Sequence, residues 1–364
     1  MLKELVPLHQ WGIFPDSRPC VIAGPCSAES RSQVMETASG VASCGKGVFR
    51  AGIWKPRTHP GCFEGVGEQA FGWLREAARR YGLKICTEAA SASHVRTCLD
   101  EGCDMLWLGA RTTVNPFLVQ EIADALRGSD IPVLVKNPVN PDVDLWAGAL
   151  ERLYECGVRK LGVILRGVSP SSKLKYRNDP AWDMAVTLRS RFPDLPFFCD
   201  PSHMGGSTEY VADLSQKALD LGFEGLMIET HCNPTCALSD AGQQLTPSEL
   251  SHLLGKLTVR EQDASCCEYK DSIARLRAEI DVIDDNLLLL LARRMGISVE
   301  IGRLKKDNNV AILQTGRWDA IRSAMAVRAR DLGLSEAFVL RVLDLIHEES
   351  VAVQNTGLSQ EQSQ

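Results

Sequence analysis

The stretch Phe197-Phe198-Cys199-Asp200-Pro201-Ser202-His203 is an apolar run that closes on Asp-Pro-Ser-His. A second run of the same kind, Gly225-Leu226-Met227-Ile228-Glu229-Thr230, follows it and closes on Glu229. Each reads as a buried strand with a metal-type ligand, His203 or Glu229, at its C-terminal end. Working outward, similar runs lie at 20–25, 48–52, 84–88, 105–110, 132–136 and 161–166, which brings the strands to eight. Helical segments between them include 67–81, 143–155, 182–191 and 209–221. Near-continuous apolar runs joined by helical crossovers indicate parallel strands buried on both faces. Eight β-α units in about 250 residues predict an α/β fold, a (β/α)8 TIM barrel. The alternative is a doubly wound open sheet. That fold calls for a glycine-rich phosphate turn after its first strand, and Gly24-Pro25-Cys26-Ser27-Ala28-Glu29 is not that motif.

The chain of 364 residues has room for one large domain and a small one. Its net charge of -6 argues against general nucleic-acid binding. No run approaches the about 20 apolar residues that span a bilayer, so no membrane segment is expected. Thirteen cysteines, several of them inside strand-like runs, suit a reducing cytoplasm better than a disulfide framework. The barrel is expected to occupy 1–257, with only 1–18 ahead of its first strand and no further N-terminal regulatory domain.

Past 257 the pattern changes. The segment 258–270 reads as a polar linker. Ile273, Leu276, Ile280, Ile283, Leu287, Leu290, Leu291 and Ile301 then recur at helical spacing. A second helix is expected over about 317–331, and a third after the N-cap candidate Ser335 to about 354. The Gln/Ser-rich tail 355–364 reads as disordered. Three helices in 271–354 make a thin core, which predicts pairing with a second copy, at least a dimer.

Barrel chemistry sits at the C-terminal strand ends, and closure makes the first strand a neighbour of the eighth. Cys26, His203, Glu229 and Asp240 can therefore converge. One thiolate, one imidazole and two carboxylates suit a divalent transition metal such as Mn, Fe, Co or Zn. The bland alternative is a buried thiol and an unrelated histidine. A rival zinc cluster could form from His231, Cys232 and Cys236. Lys55, Arg57, Arg111, Lys136 and Arg166 also follow strands, so they should ring one cavity. Cations crowded in this way call for phosphate or carboxylate ligands.

With these residues in place, Gly24-Pro25-Cys26-Ser27-Ala28-Glu29, Lys55-Pro56-Arg57-Thr58, Gly109-Ala110-Arg111, Asp200-Pro201-Ser202-His203 and Ala237-Leu238-Ser239-Asp240 resemble 3-deoxy-D-arabino-heptulosonate 7-phosphate (DAHP) synthases of the type I-beta group. The resemblance covers about 10–257. It implies condensation of phosphoenolpyruvate with erythrose 4-phosphate, with Cys26, His203, Glu229 and Asp240 as ligands of a divalent metal, manganese by preference. It implies phosphate contacts from Arg111 and Arg166, carboxylate contacts from Lys55 and Lys136, and erythrose phosphate contacts from Arg57 and Thr58. Glu88 and Asp200 match polar groups near the reacting atoms. His59 stands where the family usually has Ser. Lys55–Thr58 speaks against the related octulosonate phosphate or sialic-acid type synthases.

Leu276-Arg277-Ala278-Glu279-Ile280, Leu290-Leu291-Ala292-Arg293-Arg294 and Gly302-Arg303-Leu304-Lys305 resemble the all-helical chorismate mutases over about 271–354. Without that resemblance, the helical Arg and Lys would read as a solvated charged face. The resemblance implies rearrangement of chorismate to prephenate, with Arg277, Arg294, Lys305, Arg317, Ser350 and Gln354 around the substrate. The residue matching Arg277 reaches into the site of the second chain. Two departures stand out: Trp318 where the family commonly has a substrate-binding Glu, and Gln314 where an acidic residue is frequent. The expectation is a bifunctional shikimate-pathway enzyme with prephenate as a feedback effector. The alternative is a working barrel whose helical part mainly senses ligand and dimerises.

Overall fold

The computed structural model describes residues 2–15, 18–45, 47–55, 61, 63–170, 175–260, 267–311 and 315–359, with the side chains of 267–269, 271, 315–317 and 355–359 left aside. The chain divides into two compact units, Met1–Gln262 and Asp263–Gln364.

The first unit is a closed barrel of eight strands in sequence order. They are β1 (Cys20–Gly24), β2 (Val48–Arg50), β3 (Lys84–Glu88), β4 (Met105–Leu108), β5 (Val133–Lys136), β6 (Leu161–Leu165), β7 (Phe197–Cys199) and β8 (Gly225–Glu229). All pairs are parallel, and β1 closes on β8 with Gly24 opposite Glu229. The open-sheet alternative is thereby excluded. Helices Gln69–Tyr81, Val143–Glu155, Trp182–Arg191 and Val211–Asp220 lie among the crossovers. Several start on side-chain caps: Asp142 accepts from Leu145 N, and Thr246 with Glu249 forms a capping box.

The period of two along each strand explains where the site lies. Ile22, Val48, Cys86, Met105, Trp107, Leu134, Ile164, Phe198 and Met227 form one buried cluster, the barrel interior, closed below by Trp11. Two residues further along the same faces come Arg50, Glu88, Lys136, Arg166, Asp200 and Glu229. The charged ring is the next inward layer above the apolar one.

In the second unit, helices Cys267–Asp307 and Thr315–Asp331 both pack on Glu336–Ser359. Gly302 lets the long helix approach closely, because a Cβ there would stand 3.0 Å from Gln354 Cα. Two boundaries differ from expectation. The long helix starts at Cys267, inside the stretch read as linker, and the last one runs to Ser359, past the expected stop at 354. Nothing between Val353 and Thr356 breaks a helix; the first poor helix former is Gly357. Residues 360–364 lie outside the described residues. No helix is long and apolar enough to cross a membrane among the described residues.

Candidate active sites

The Asp-Pro-Ser-His stretch is a helix start. Asp200 caps Pro201–Gly205 by accepting from His203 N, and proline occupies the first turn, where its missing N–H costs nothing. The cap fixes His203, whose Nδ1 lies 2.8 Å from Asp200 Oδ2 and whose Nε2 lies 3.7 Å from Glu229 Oε1. Ser202 Oγ accepts from Glu229 N at 3.0 Å, tying the ends of β7 and β8 together.

Donor atoms of Cys26, Glu229 and Asp240 lie within 4.8 Å of one another. His203, the fourth expected ligand, stands beside this group with Nε2 3.7 Å from Glu229 Oε1. A thiol, an imidazole and two carboxylates fit a divalent transition metal, so the residues present suit such an ion. Burial, and next the Glu229 charge, pushes the Cys26 thiol up to about 12. Burial alone would raise the Glu229 carboxyl, yet His203, Arg50 and Lys55 outweigh it and hold it below its ordinary value. Asp240 is likewise held low against its burial by His203 and Arg177.

Above the ligands lies a cavity of about 170 Å³ lined by Lys55, Arg111, Lys136, Arg166, Arg177 and Glu88, with His203 and Asp240 in its wall. Four of the five expected cations therefore meet. Arg57, with Thr58 and His59, lies outside the described residues. Burial, helped by Arg177 and Arg111, pushes Arg166 below its ordinary value although Asp200 opposes it. Glu88 accepts from Trp107 Nε1 at 3.1 Å, and a Cβ at Gly109 would stand 2.1 Å from Glu88 Oε1, so a larger residue there would displace that carboxylate.

Asp200 is buried in an ion pair, 2.6 Å from Lys136 Nζ. It anchors Lys136 and His203 from beneath the cavity.

The rival zinc cluster does not assemble: among the described residues His231, Cys232 and Cys236 belong to no metal-type group. His231 Nδ1 accepts from Asn233 N at 2.9 Å, and Cys236 is exposed.

Arg50 is the residue the sequence reading missed on a strand. It is sealed from solvent, donates to Glu229 Oε1 at 3.0 Å, and lies 4.9 Å from the Trp107 ring centre. Its signal was available: a charge two residues after the inward Val48. Arg177, Gln243 and Gln244 were also missed. They sit in loops or, for Gln243, at the end of the short 3-10 turn Ala241–Gln243, where polar side chains are the default and carry no signal.

In the helical unit a second pocket is lined by Arg294, Lys305, Trp318, His347, Ser350 and Gln354. Arg294, Ser298, Ile301 and Lys305 follow one helix face, and Ser350 and Gln354 are one turn apart on another helix. Arg294 Nη1 donates to Ser350 Oγ. Trp318 stacks on His347 with ring centres 3.9 Å apart. Arg277 is exposed and does not line this pocket. At 1.5 Å per residue it lies about 25 Å along the same helix from Arg294, too far to share a site within one chain. Arg317 lies in the second helix with its side chain undescribed, and Gln314 is outside the described residues.

The chain matches the DAHP synthetase I family over residues 11–263 and chorismate mutase type II over residues 276–355. A phospho-2-dehydro-3-deoxyheptonate aldolase of Thermotoga maritima is 35% identical over 62% of this chain and 64% of that one. The matched region thus spans less than two thirds of that relative. A 4-amino-4-deoxychorismate mutase of Streptomyces venezuelae is 35% identical over 25% of this chain and 89% of its own length. The crystal structure of a Thermotoga maritima DAHP synthase superposes with a TM-score of 0.61 at 32% identity, covering 69% of this chain and 72% of that one.

Proposed function

The chain belongs to the DAHP synthetase I family and carries a chorismate mutase type II segment, and from that premise we propose a bifunctional enzyme of the shikimate pathway. The barrel condenses phosphoenolpyruvate with D-erythrose 4-phosphate to give DAHP and phosphate. The helical unit rearranges chorismate to prephenate.

One observation carries the barrel reading: Lys55, Arg111, Lys136 and Arg166 line a single cavity beside the Cys26, Glu229 and Asp240 donors. In this reading Arg111 and Arg166 hold the phosphate of phosphoenolpyruvate, and Lys55 and Lys136 its carboxylate. Arg57 and Thr58 take the aldose phosphate. Asp200 pairs with Lys136 and orients His203. Cys26, His203, Glu229 and Asp240 would hold the ion, manganese by preference, which supplies Lewis acidity toward the aldehyde oxygen. The vinyl carbon attacks the aldehyde carbon, water adds at the resulting cationic centre, and phosphate leaves with carbon–oxygen cleavage. No covalent nucleophile is required, so Cys26 acts as a ligand. The test is phosphate release from the two substrates with and without a chelator. Absence of release with any divalent metal rejects the reading.

The helical reading rests on Arg294, Lys305, Ser350 and Gln354 meeting in one pocket. Such a site holds a dicarboxylate in a compact conformer and stabilises the separating charge. A homodimer would complete it with Arg277 from the second chain, and the half-exposed Leu276, Ile280, Ile283, Leu287 and Leu290 supply an apolar stripe for the pairing. A second reading makes 4-amino-4-deoxychorismate the substrate. It is favoured by the 35% identity of this segment to a 4-amino-4-deoxychorismate mutase. Turnover of both substrates, measured side by side, separates the two. Prephenate bound at the helices would feed back on the barrel, and that coupling must be reciprocal in binding free energy. Barrel kinetics that ignore prephenate in the intact protein reject the feedback.

A further inference from the structure

We propose that the adjacent glutamines Gln243 and Gln244, together with Arg177, are the positioning residues that set the geometry of the metal ligands, an inference that rests on the metal-site reading above. Both glutamines are sealed from solvent. Gln243 Nε2 donates to Glu229 Oε2 at 2.7 Å, and its Oε1 accepts from Arg177 Nη1 at 3.0 Å. The amide orientation follows from its partners. A carboxylate can only accept and a guanidinium can only donate, so the flipped amide would set like against like on both sides.

Glu229 Oε1 already takes Arg50 at 3.0 Å, so each of its oxygens has its own donor. The same Arg177 nitrogen donates to Asp240 Oδ1 at 2.9 Å. That leaves Oδ2, 3.4 Å from Cys26 Sγ, as the oxygen turned toward the site. Gln244 completes the clamp from the other side. Its Oε1 accepts from Cys26 N at 2.9 Å, and its Nε2 donates to Ser239 O at 2.8 Å.

Three of the four ligands are thus tied to a single segment, 240–244. Asp240 opens it with φ +48°, a left-handed conformation unusual for a residue other than glycine. Both partners of Gln243 are charged side chains of the site. Hydrogen bonds to the ligands from such a shell fix their orientation and commonly govern metal affinity by about 10- to 100-fold.

The experiment titrates the full-length apoprotein with Co2+, reading the thiolate-to-cobalt band and the d–d bands, for wild type, Gln243→Leu, Gln243→Glu and Gln244→Leu. Gln243→Glu keeps the acceptor for Arg177 and turns a carboxylate against Glu229. It decides the matter if Gln243→Leu does not fold. The expected result is Co2+ dissociation constants raised about 10- to 100-fold in the folded variants, with altered d–d bands. Wild type binding Co2+ with a thiolate band, while every folded variant matches it within about twofold, overturns the clamp alone. Wild type without a thiolate–cobalt band overturns the metal reading, and the clamp with it.

Discussion

Arg50 Nη2 lies 3.0 Å from Glu229 Oε1, and both side chains are closed to solvent. Breaking such a pair strands a charge, at a cost of about 3–5 kcal/mol. Arg50→Met is therefore expected to destabilise the apoprotein by about that amount in denaturant titrations. Added divalent metal should recover part of the loss, because the ion compensates Glu229. A variant equally destabilised with and without metal would refute this account.

Asp200 gives the barrel a defined acid limb. Its burial favours the neutral form, but His203 and Lys136 outweigh that and hold the carboxyl well below its ordinary value of 3.8. The folded pKa is depressed. The stabilisation is therefore complete above the unfolded value and drains away as pH falls from there through the folded one. Asp200→Asn should lower stability at neutral pH and flatten the stability curve below about pH 4. Unfolding measured across the acid range checks both parts.

Metal uptake should release the Cys26 proton. With the thiol at about 12 before metal arrives, thiolate coordination must expel a proton at any physiological pH. Apparent affinity should then rise about tenfold per pH unit between roughly pH 7 and 9, and Cys26→Ser should lose that slope along with affinity. Competition with a chelator at several pH values measures it.

Arg294 is held by Ser350 Oγ and by Ile346 O at 3.4 Å. Removing the cation with Arg294→Ala should cost about 10²- to 10³-fold in mutase turnover, the range seen for a single preorganised donor. Ser350→Ala should cost less, since it frees the guanidinium without deleting it. Neither change should alter phosphate release by the barrel.

Placing a charge on the exposed apolar stripe tests the pairing of helices. Leu287→Glu should shift the protein toward monomer in sedimentation and abolish mutase turnover, since Arg277 cannot reach Arg294's pocket within one chain. A monomeric variant with full turnover would sink the shared-site reading.

Much of the barrel was legible in the chain. An apolar residue facing inward with a charged one two places later recurs at Cys86 and Glu88, Leu134 and Lys136, Ile164 and Arg166, Phe198 and Asp200, and Met227 and Glu229. Residue types and this period of two are local properties, so strands and their inward faces could be read directly. The helical pocket was legible only through the family resemblance, because a cation on a helix face reads by itself as solvated charge. The short helix that Asp200 caps, which settles where His203 stands, appeared only in the structure.

Only the tertiary structure decided which charge meets which. Lys136 is committed to Asp200, Arg50 to Glu229, and Arg177 to Asp240. Those pairings depend on the register in which eight strands close and on where two long loops settle. Both are set by contacts between residues far apart in the chain. Periodicity tells a side chain which face it occupies; it carries no information about the partner waiting across the barrel.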